Sequence, residues 1–488
     1  MKKAKLFIDN FIVYGLGGII SKMIPFFMMP IVTRLMPDSS FIGIADLSAT
    51  IVAFGAAVAT MGLYDAMYRL SFDKGDPDIK GKMVSTAVFF TYITSFAIAV
   101  VILLSNNLVA GLFNSENYSF EIVIITAASI MVSTVYPFLL SPIRMVNNRK
   151  MYVLINLLYA VINYGLIMAL IYCHLYLIAM PLAYFVSGLL MMVWLRHINK
   201  EWISIRKVDY ESLKKMLRIG LPMMPNFVFY WLMHSCDRIM ISSMLGAKYN
   251  GVYSVAAKYG GISQLIYIAF AGGWHYFAFS TMDDEDQVKT VSLIFEYLGV
   301  ASLVCTMLVC LIVKPFWRGL FEVEYYDGYL LLPYLFLSPL LLMLFQAIGN
   351  QYLIIKKTGP TAIFLLLGAI ANIVCNRVLI PTCGMEGAAI ATLLGYLCAL
   401  FLCAFFLHMS KLFFVSKRFL ICAITFLTFF LFWRLLGQEH FYINFLYGIC
   451  FLFFVLCSYR KEISLVMTYI RNVFRKGDYN ANENSKLF

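Results

Sequence analysis

The chain has 488 residues, of which 62% are hydrophobic and only 13% are charged, and its formal net charge is +12. Soluble domains average about 25% charged residues, so this composition excludes a soluble globular protein and indicates a polytopic membrane protein. The excess of cations does not indicate a nucleic-acid partner, because Lys and Arg stand in short segments between apolar runs.

Fourteen apolar runs are long enough to cross a hydrocarbon core about 30 Å thick, so the predicted fold is all-α. The runs are 8–33, 41–66, 83–104, 120–143, 151–172, 174–195, 216–245, 251–277, 289–313, 328–354, 359–381, 384–408, 416–436 and 440–459. The first is too long for the apolar region of a signal peptide, so we expect it to be retained as a span. The count falls to twelve if the last hairpin does not cross fully.

The distribution of Lys and Arg predicts the orientation. With the N-terminus in the cytoplasm, and with cations within a few residues of a run's end counted in the adjoining segment, the inner segments hold 29 of the 38 cations, the outer segments hold five, and four lie deeper inside spans. This asymmetry predicts an even number of spans with both termini on the cytoplasmic side.

The chain is predicted to divide into two similar halves. Residues 1–195 form an N-lobe of six spans, 216–408 a C-lobe of six, 409–460 the last two spans, and 461–488 a cytoplasmic tail. The inner loop 196–215 between the lobes is either a hinge or a simple topogenic loop. A weak repeat relates Gly43-Ile44-Ala45-Asp46 to Gly251-Val252-Tyr253-Ser254, and Asn163 to Asn372, at offsets of 208 and 209 residues. Six spans per unit give both halves the same orientation, and paired lobes of this kind place a substrate site at their interface.

A charged stretch inside an apolar run is the strongest functional feature of the sequence. Asp237 and Arg238 lie in the seventh run and Lys258 in the eighth. Each charge costs roughly 2.5–3.5 kcal/mol at the centre of a span, and such residues usually face a protein or water-filled interior. With a turn at Gly246–Asn250, the rise of an α-helix places Arg238 and Lys258 at a similar depth, roughly 10–12 Å below one membrane face. The sequence therefore predicts a cationic site.

The candidate substrate-binding residues are cations that would offset the desolvation of phosphates. They are Lys22, Arg238 and Lys258, with Arg34 and Arg377 as weaker candidates for which interfacial anchoring is the alternative. The three stronger candidates also allow a purely structural role: Lys22 can pair with Asp46 or Asp65, Arg238 can neutralise Asp237, and Lys258 can reach the outer interface. The candidate ion-coupling residues are Asp237, His234, Asp46 and Asp65, and for His234 the alternative is a hydrogen-bonded packing residue.

The residues around this stretch resemble a known family. Cys236-Asp237-Arg238-Ile239-Met240-Ile241, Leu245-Gly246-Ala247 and Gly251–Lys258 resemble the polysaccharide transporter family of Wzx-type O-antigen and capsule repeat-unit flippases. Asn376-Arg377-Val378-Leu379-Ile380-Pro381 and Gly384–Thr392 resemble the eleventh-to-twelfth span junction of the multidrug/oligosaccharidyl-lipid/polysaccharide exporter superfamily.

The resemblance implies two six-helix lobes related by a pseudo-twofold axis around a central cavity, with two further helices. It implies translocation of an undecaprenyl-pyrophosphate-linked oligosaccharide across the bacterial inner membrane for O-antigen or capsule assembly. It also implies alternating access driven by an ion gradient, H⁺ or Na⁺. The expected partners are the lipid-linked oligosaccharide and the bilayer, with a polysaccharide polymerase and a chain-length regulator as further candidates.

Two competing functions stay open at this point. A cation-coupled drug exporter of the same superfamily would bind organic cations and need interior acids, whereas three of the four clearly mid-span charges here are cations. A membrane-embedded glycan polymerase or acyltransferase would need a large outer loop or a catalytic His, for which His234 with Asp237 is the only pair. We expect no catalytic residue, no metal site and no bound cofactor, because no nucleotide-binding or metal-ligand motif occurs.

Overall fold

The computed structural model describes residues 23–73, 77–113, 120–267, 270, 274, 284–355, 357, 359–438, 440–462 and 464. Apart from two short 3₁₀ turns, the regular secondary structure of these residues is α-helical. The helices are α1 Met23–Leu35, α2 Ser39–Thr60, α3 Leu63–Asp73, α4 Pro77–Leu104, α5 Asn106–Phe113, α6 Phe120–Met145, α7 Arg149–Tyr172, α8 Tyr176–Ile198, α9 Tyr210–Leu245, α10 Ala247–Gly260, α11 Gln287–Leu320, α12 Gly328–Ile354, α13 Gly359–Met409, α14 Lys417–Leu435 and α15 Phe441–Ser458.

Ten of the described helices are long and apolar enough to cross a membrane. The 51-residue α13 covers both the eleventh and the twelfth predicted spans, and its path breaks at Gly384, where φ is 61° and ψ is −142°. The short α1 overlaps the first predicted span, the charged α9 the seventh and the short α10 the eighth. The all-α, polytopic membrane fold is thus confirmed, while the count of fourteen spans stays a prediction.

Two element boundaries differ from those expected. The second predicted span, 41–66, is not one helix, because Met61 and Gly62 adopt positive φ values of 49° and 69° and separate α2 from α3. The turn expected at Gly246–Asn250 is confined to Gly246, whose φ of 100° lets the chain reverse at one residue. Glycine tolerates such a backbone conformation, so α10 begins at Ala247 rather than at residue 251.

The helices pack into two bundles that meet along α2. In the N bundle, α2, α4, α6, α7 and α8 pack on one another, and in the C bundle α9 to α13 do so. Between the bundles, α2 contacts α10 and α9, and α3 contacts α9. Helices α14 and α15 pack on α11 at the side of the C bundle.

The bundles touch most closely at the end predicted to face outward, where two glycines cross. A Cβ atom on Gly43 would lie 1.9 Å from the carbonyl oxygen of Ala247, and one on Gly251 would lie 1.9 Å from the carbonyl oxygen of Ser39. Both glycines therefore allow direct backbone contact, and the Asn250 amide donates a hydrogen bond of 2.8 Å to the Gly43 carbonyl. We call this contact between α2 and α10 the glycine crossing.

A charged cluster covers the glycine crossing. The Lys248 ammonium lies 3.5 Å from an Asp38 carboxylate oxygen and 3.3 Å from one of Glu324. The same Glu324 oxygen accepts hydrogen bonds from the Ser39 amide (3.1 Å) and hydroxyl (2.9 Å). Three segments that the charge distribution predicts to be outside thus lie at one end of the molecule, which we call the outer end.

We expect closure of the outer end to be independent of pH across the physiological range. Partial burial of Asp38 opposes its ionisation, but hydrogen bonds with Ser40 and the charge of Lys248 outweigh this effect and lower its pKa. The hydrogen bond to Glu324 and the charges of Glu324 and Asp38 raise the pKa of Lys248. Ionisation of Asp38 therefore stabilises the cluster until the pH falls below its usual pKa near 4, and protonation of Lys248 stabilises it until the pH rises above its usual pKa near 10.

Spin labels on the exposed native Cys173 and Cys383 measure this expectation, because the first follows α7 and the second lies in α13, both at the outer end. We expect the same label-to-label distance distribution at pH 5.5 and at pH 8.5. A distance that changes within this interval contradicts the assignment of the cluster as a pH-independent closure.

The loop predicted as a hinge is attached to the N bundle. The Asn199 amide donates to the Leu139 carbonyl (2.8 Å), and the Ser85 hydroxyl donates to the Trp202 carbonyl (2.8 Å). The chain leaves the bundle at Asp209, whose carboxylate accepts the Ser212 amide (2.8 Å) and caps α9. Any movement between the bundles on this side must therefore occur at or after residue 209.

Candidate functional site

An ion pair joins the two bundles in the middle of their interface. Arg238 on α9 places Nε 2.9 Å from the Asp46 carboxylate on α2, and both side chains are largely buried. The pair is electrostatic, since neither Arg238 Nε nor the Asp46 oxygen has an aligned hydrogen bond. Arg238 also donates to the His234 carbonyl one turn earlier in α9.

Lys258 on α10 supplies the second cation of this interface. Its side chain reaches open space, its ammonium lies 3.7 Å from the Met29 sulfur, and it makes no ion pair with the described residues. Lys258 and Arg238 line one cavity of about 290 Å³, which α1 closes with Met23 and Phe26. With Asp46, the two cations leave one net positive charge at this point of the interface.

Asp237 points away from this cavity, although it precedes Arg238 in sequence. Its carboxylate is buried, and it accepts hydrogen bonds from the Tyr253 hydroxyl and from the Thr392 hydroxyl at 3.2 Å. Adjacent residues of an α-helix diverge by about 100°, which directs Arg238 to the bundle interface and Asp237 into the C bundle. In this geometry Arg238 pairs with Asp46 and not with Asp237, which differs from the alternative that Arg238 merely neutralises Asp237.

A polar network surrounds Asp237 inside the C bundle. The Asn372 amide donates to the Thr392 hydroxyl (3.2 Å), and its oxygen accepts from Asn376 (3.2 Å). The Asn376 oxygen is buried without a partner among the described residues. A cavity of about 80 Å³ lies against Asp237, Tyr253 and Thr392. The Asp237 carboxylate and the hydroxyl-bearing Tyr253 and Thr392 thus border a small space that Arg238 also lines, and the two asparagines lie behind Thr392.

His234 borders the same small cavity. Its imidazole lies 3.2 Å from the Tyr396 hydroxyl, so it makes the hydrogen bond expected of a packed histidine. In the described part of the chain, no group of three or more His, Cys, Asp or Glu side chains is placed to hold a metal ion.

Three of the remaining candidate residues, Arg34, Arg377 and Asp65, lie apart from these cavities. Arg34 donates to the Leu320 carbonyl (3.2 Å) at the outer end, and Arg377 is exposed on α13 between the exposed Val374 and Val378. Asp65 lies on α3, beyond the break that ends α2, and is exposed. Lys22 lies outside the described residues, so its role stays a prediction.

Tyr253, Tyr396 and Ser338 also belong to the site, and sequence reasoning did not single them out as functional. All three border the Asp237 cavity. Tyrosine counts as apolar in a hydropathy profile and is expected in interfacial belts, which conceals tyrosines that face a polar interior. One sequence feature could have indicated that Tyr253 faces the interior. It lies in the same short helix as Lys258, five residues before it and four residues after Tyr249.

Comparisons with known proteins define the family and the fold. Residues 7–282, more than half of the chain, match a family model described as "Polysaccharide biosynthesis protein". No curated protein sequence gives a significant match.

Solved structures share the architecture at low sequence identity. A lipid II flippase MurJ in an inward closed conformation superposes with a TM-score of 0.66 at 16% identity, covering 93% of this chain and 100% of that one. An inward-facing multidrug resistance MATE family transporter of the MOP superfamily gives a TM-score of 0.60 at 15% identity, covering 80% and 98%. An outward-facing MATE transporter gives 0.53 at 14% identity, covering 83% and 96%. At these low identities, the superpositions establish a shared fold.

Proposed function

The chain belongs to the polysaccharide biosynthesis protein family and shares the fold of a lipid II flippase and of MATE transporters, and from this premise we propose that it is a membrane transporter rather than an enzyme, namely a flippase for lipid-linked oligosaccharides. The substrate is an undecaprenyl-pyrophosphate-linked repeat unit, which the protein moves from the inner to the outer leaflet of the bacterial inner membrane. The observation that carries the proposal is the convergence of Arg238 and Lys258 on one cavity between the bundles.

The arrangement of charges supports binding of a pyrophosphate by exchange of partners. In the structure, Asp46 forms an ion pair with the Arg238 guanidinium, and Lys258 makes no ion pair with the described residues. A pyrophosphate in the 290 Å³ cavity would meet Lys258 first and then replace Asp46 on Arg238, a fork that suits phosphate oxygens. The ion pair between the bundles would break at the same moment, so substrate binding would remove one of the contacts that join them.

Asp237 and its surroundings support ion coupling. The carboxylate and the Thr392, Tyr253 and Ser338 side chains border a small cavity, and their oxygens suit Na⁺ or a proton. Arg238 lines both this cavity and the 290 Å³ cavity, so binding of phosphate to Arg238 would change the charge next to Asp237. Asp46, left unpaired by the substrate, is the second candidate for protonation.

The cellular setting follows from the same proposal. Both termini face the cytoplasm, and the translocated repeat units are used for O-antigen or capsule assembly. A polysaccharide polymerase and a chain-length regulator are the proposed partners on the product side. A drug exporter is less well supported by the site, because Arg238 neutralises the interfacial carboxylate that an organic cation would need.

Deletion of the gene in its own bacterium tests the proposal with the natural glycan. We expect surface polysaccharide to disappear and the lipid-linked repeat unit to accumulate in the membrane, and we expect the wild-type gene to restore both. Lys258→Ala should restore less than about a tenth of the surface polysaccharide, because loss of one charge-assisted contact of about 1.5–3 kcal/mol lowers phosphate binding roughly ten- to a hundredfold.

Two controls at matched protein levels separate charge from structure. Lys258→Arg keeps the charge and should restore a large part of the polysaccharide. Arg377→Ala removes a cation that lies outside the cavities and should restore it fully. Full restoration by Lys258→Ala would contradict the cationic-site mechanism. Undiminished polysaccharide in the deletion strain would contradict the flippase assignment.

A further inference from the structure

A row of tyrosines lines the interior of the N bundle. The rings of Tyr136 on α6 and Tyr159 on α7 have centroids 5.7 Å apart, and those of Tyr159 and Tyr184 on α8 are 6.3 Å apart. One end of the row is Tyr152 on α7, beneath the Arg144 guanidinium at 5.5 Å. We call the set Tyr136, Tyr152, Tyr159 and Tyr184 the tyrosine row.

The tyrosine row leads to the cationic site. Tyr184 borders a second cavity of about 190 Å³, which also exposes Asn163, Ser48, Asp46 and Lys258. Lys258 lines both this cavity and the 290 Å³ cavity that contains Arg238. A ligand whose phosphates lie against Lys258 and Arg238 could therefore extend its other end into the 190 Å³ cavity, against Tyr184.

One tyrosine of the row carries an unused hydroxyl group. The Tyr136 hydroxyl is buried and has no hydrogen-bond partner among the described residues. A buried polar atom without a partner costs stability, and such atoms are uncommon in folded proteins. The Tyr136 hydroxyl does not border the 190 Å³ cavity, so Tyr184 is the member of the row that can contact a ligand there.

The chemistry of the row suits a neutral, polyhydroxylated ligand. Tyrosines present flat apolar faces with polar tips, and Asn163 and Ser48 add short donors and acceptors where the row meets the cavity. Charged side chains lie at its two ends, Arg144 at one and Asp46 with Lys258 at the other. A sugar has both apolar C–H faces and hydroxyl groups, and 190 Å³, below the ~300–1,000 Å³ of pockets for drug-sized ligands, suits a single sugar residue.

We propose that the 190 Å³ cavity, with Tyr184 of the tyrosine row in its wall, is a glycan subsite on the N-bundle side, which holds the first sugar residue of the substrate while Arg238 and Lys258 hold its pyrophosphate. The inference rests on the proposed function and adds to it the place where the sugar is recognised. Selectivity between repeat units would then depend on the N bundle, and the charged interface would bind the part common to all of them.

Binding measurements on the purified full-length protein in lipid nanodiscs test the subsite. The probes are undecaprenyl pyrophosphate without a sugar and the same lipid carrying N-acetylglucosamine, N-acetylgalactosamine, glucose or galactose. We expect at least one sugar-bearing probe to bind about tenfold more tightly than the bare lipid, the effect of one or two additional hydrogen bonds and a stacked ring.

The Tyr184 variants test the subsite, because Tyr184 is the member of the row that borders the cavity. Tyr184→Phe should reduce this sugar-dependent gain about threefold or more, and Tyr184→Leu should abolish it, while both keep the wild-type affinity for the bare lipid, which shows that the variants are folded. Tyr136→Phe is the matched control, because it removes a buried hydroxyl that lies outside the cavity; it should leave the sugar-dependent gain unchanged and the melting temperature unchanged or raised. Tyr442→Phe, at an exposed position on α15, should change nothing.

The outcomes separate the two proposals. A wild-type protein that binds the bare lipid but none of the sugar-bearing probes more tightly overturns the glycan subsite and leaves the pyrophosphate site standing. An undiminished sugar-dependent gain in both Tyr184 variants also overturns it. Failure of the wild-type protein to bind the bare lipid overturns the proposed function and, with it, the substrate for this subsite.

Discussion

Replacement of Arg238 by Gln is expected to abolish translocation and to destabilise the protein, and the two effects should be separable. Removal of one partner from a buried ion pair costs about 3–5 kcal/mol, because the other charge stays buried and unpaired. The Arg238 and Asp46 side chains are 22% and 12% exposed, so we expect the lower end of that range. Thermal unfolding in detergent measures the stability, and surface polysaccharide in the deletion strain measures transport.

The double variant Asp46→Asn with Arg238→Gln distinguishes a binding role from a structural one. With both charges removed, stability should return to within about 1 kcal/mol of wild type, since no unpaired charge remains. Transport should stay below a tenth of wild type, because the cavity has lost the guanidinium that binds phosphate. Recovery of transport together with stability would show that the pair only joins the bundles.

Replacement of Gly251 by Leu is expected to prevent closure of the outer end. Even the Cβ atom would lie 1.9 Å from the Ser39 carbonyl oxygen, a distance that only movement of a backbone can relieve. Gly43→Leu should have the same effect through Ala247. We expect either variant to increase the distance between labels on Cys173 and Cys383 and to lower transport at least about tenfold, because alternating access requires closure of each end in turn.

Gly165→Leu is the matched control for these variants. Gly165 is also a helical glycine, but a Cβ atom there would have no other atom within 4 Å. For the labelling, the other nine of the eleven cysteines are replaced by serine or alanine. An unchanged label distance in Gly251→Leu, at wild-type transport, would show that the glycine crossing opens and closes without close backbone contact.

The sequence alone predicted the parts of this site that depend on local geometry. A turn between two apolar runs places Arg238 and Lys258 at one depth, and the structure puts both on one cavity. The divergence of neighbours on a helix likewise separates Asp237 from Arg238. The general fold followed from hydropathy, since only helices or closed barrels satisfy the backbone within a bilayer.

The parts that depend on which helices meet could not be predicted. Asp46 was a candidate for ion coupling and for pairing with Lys22, but its contact with Arg238 requires the packing of α2 against α9. The tyrosine row combines residues of three helices, and its members are indistinguishable in sequence from interfacial tyrosines. The break at Met61–Gly62 lies within an unbroken apolar run, where hydropathy gives no reason to end a helix.

The glycine crossing bears on how a chain of this kind could arise. Ala247 and Gly251 follow Ser39 and Gly43 by the same 208 residues, so each half offers the same glycine and the same carbonyl to the other. This is the isologous contact of a symmetric dimer, contained in a single polypeptide. A half-length ancestor with one such glycine would have supplied both sides of the contact by pairing with a second copy of itself. Gene duplication and fusion would then have preserved an interface that already worked, and left each half free to specialise, one towards Asn163 and its tyrosines and the other towards Asn372 and Asp237.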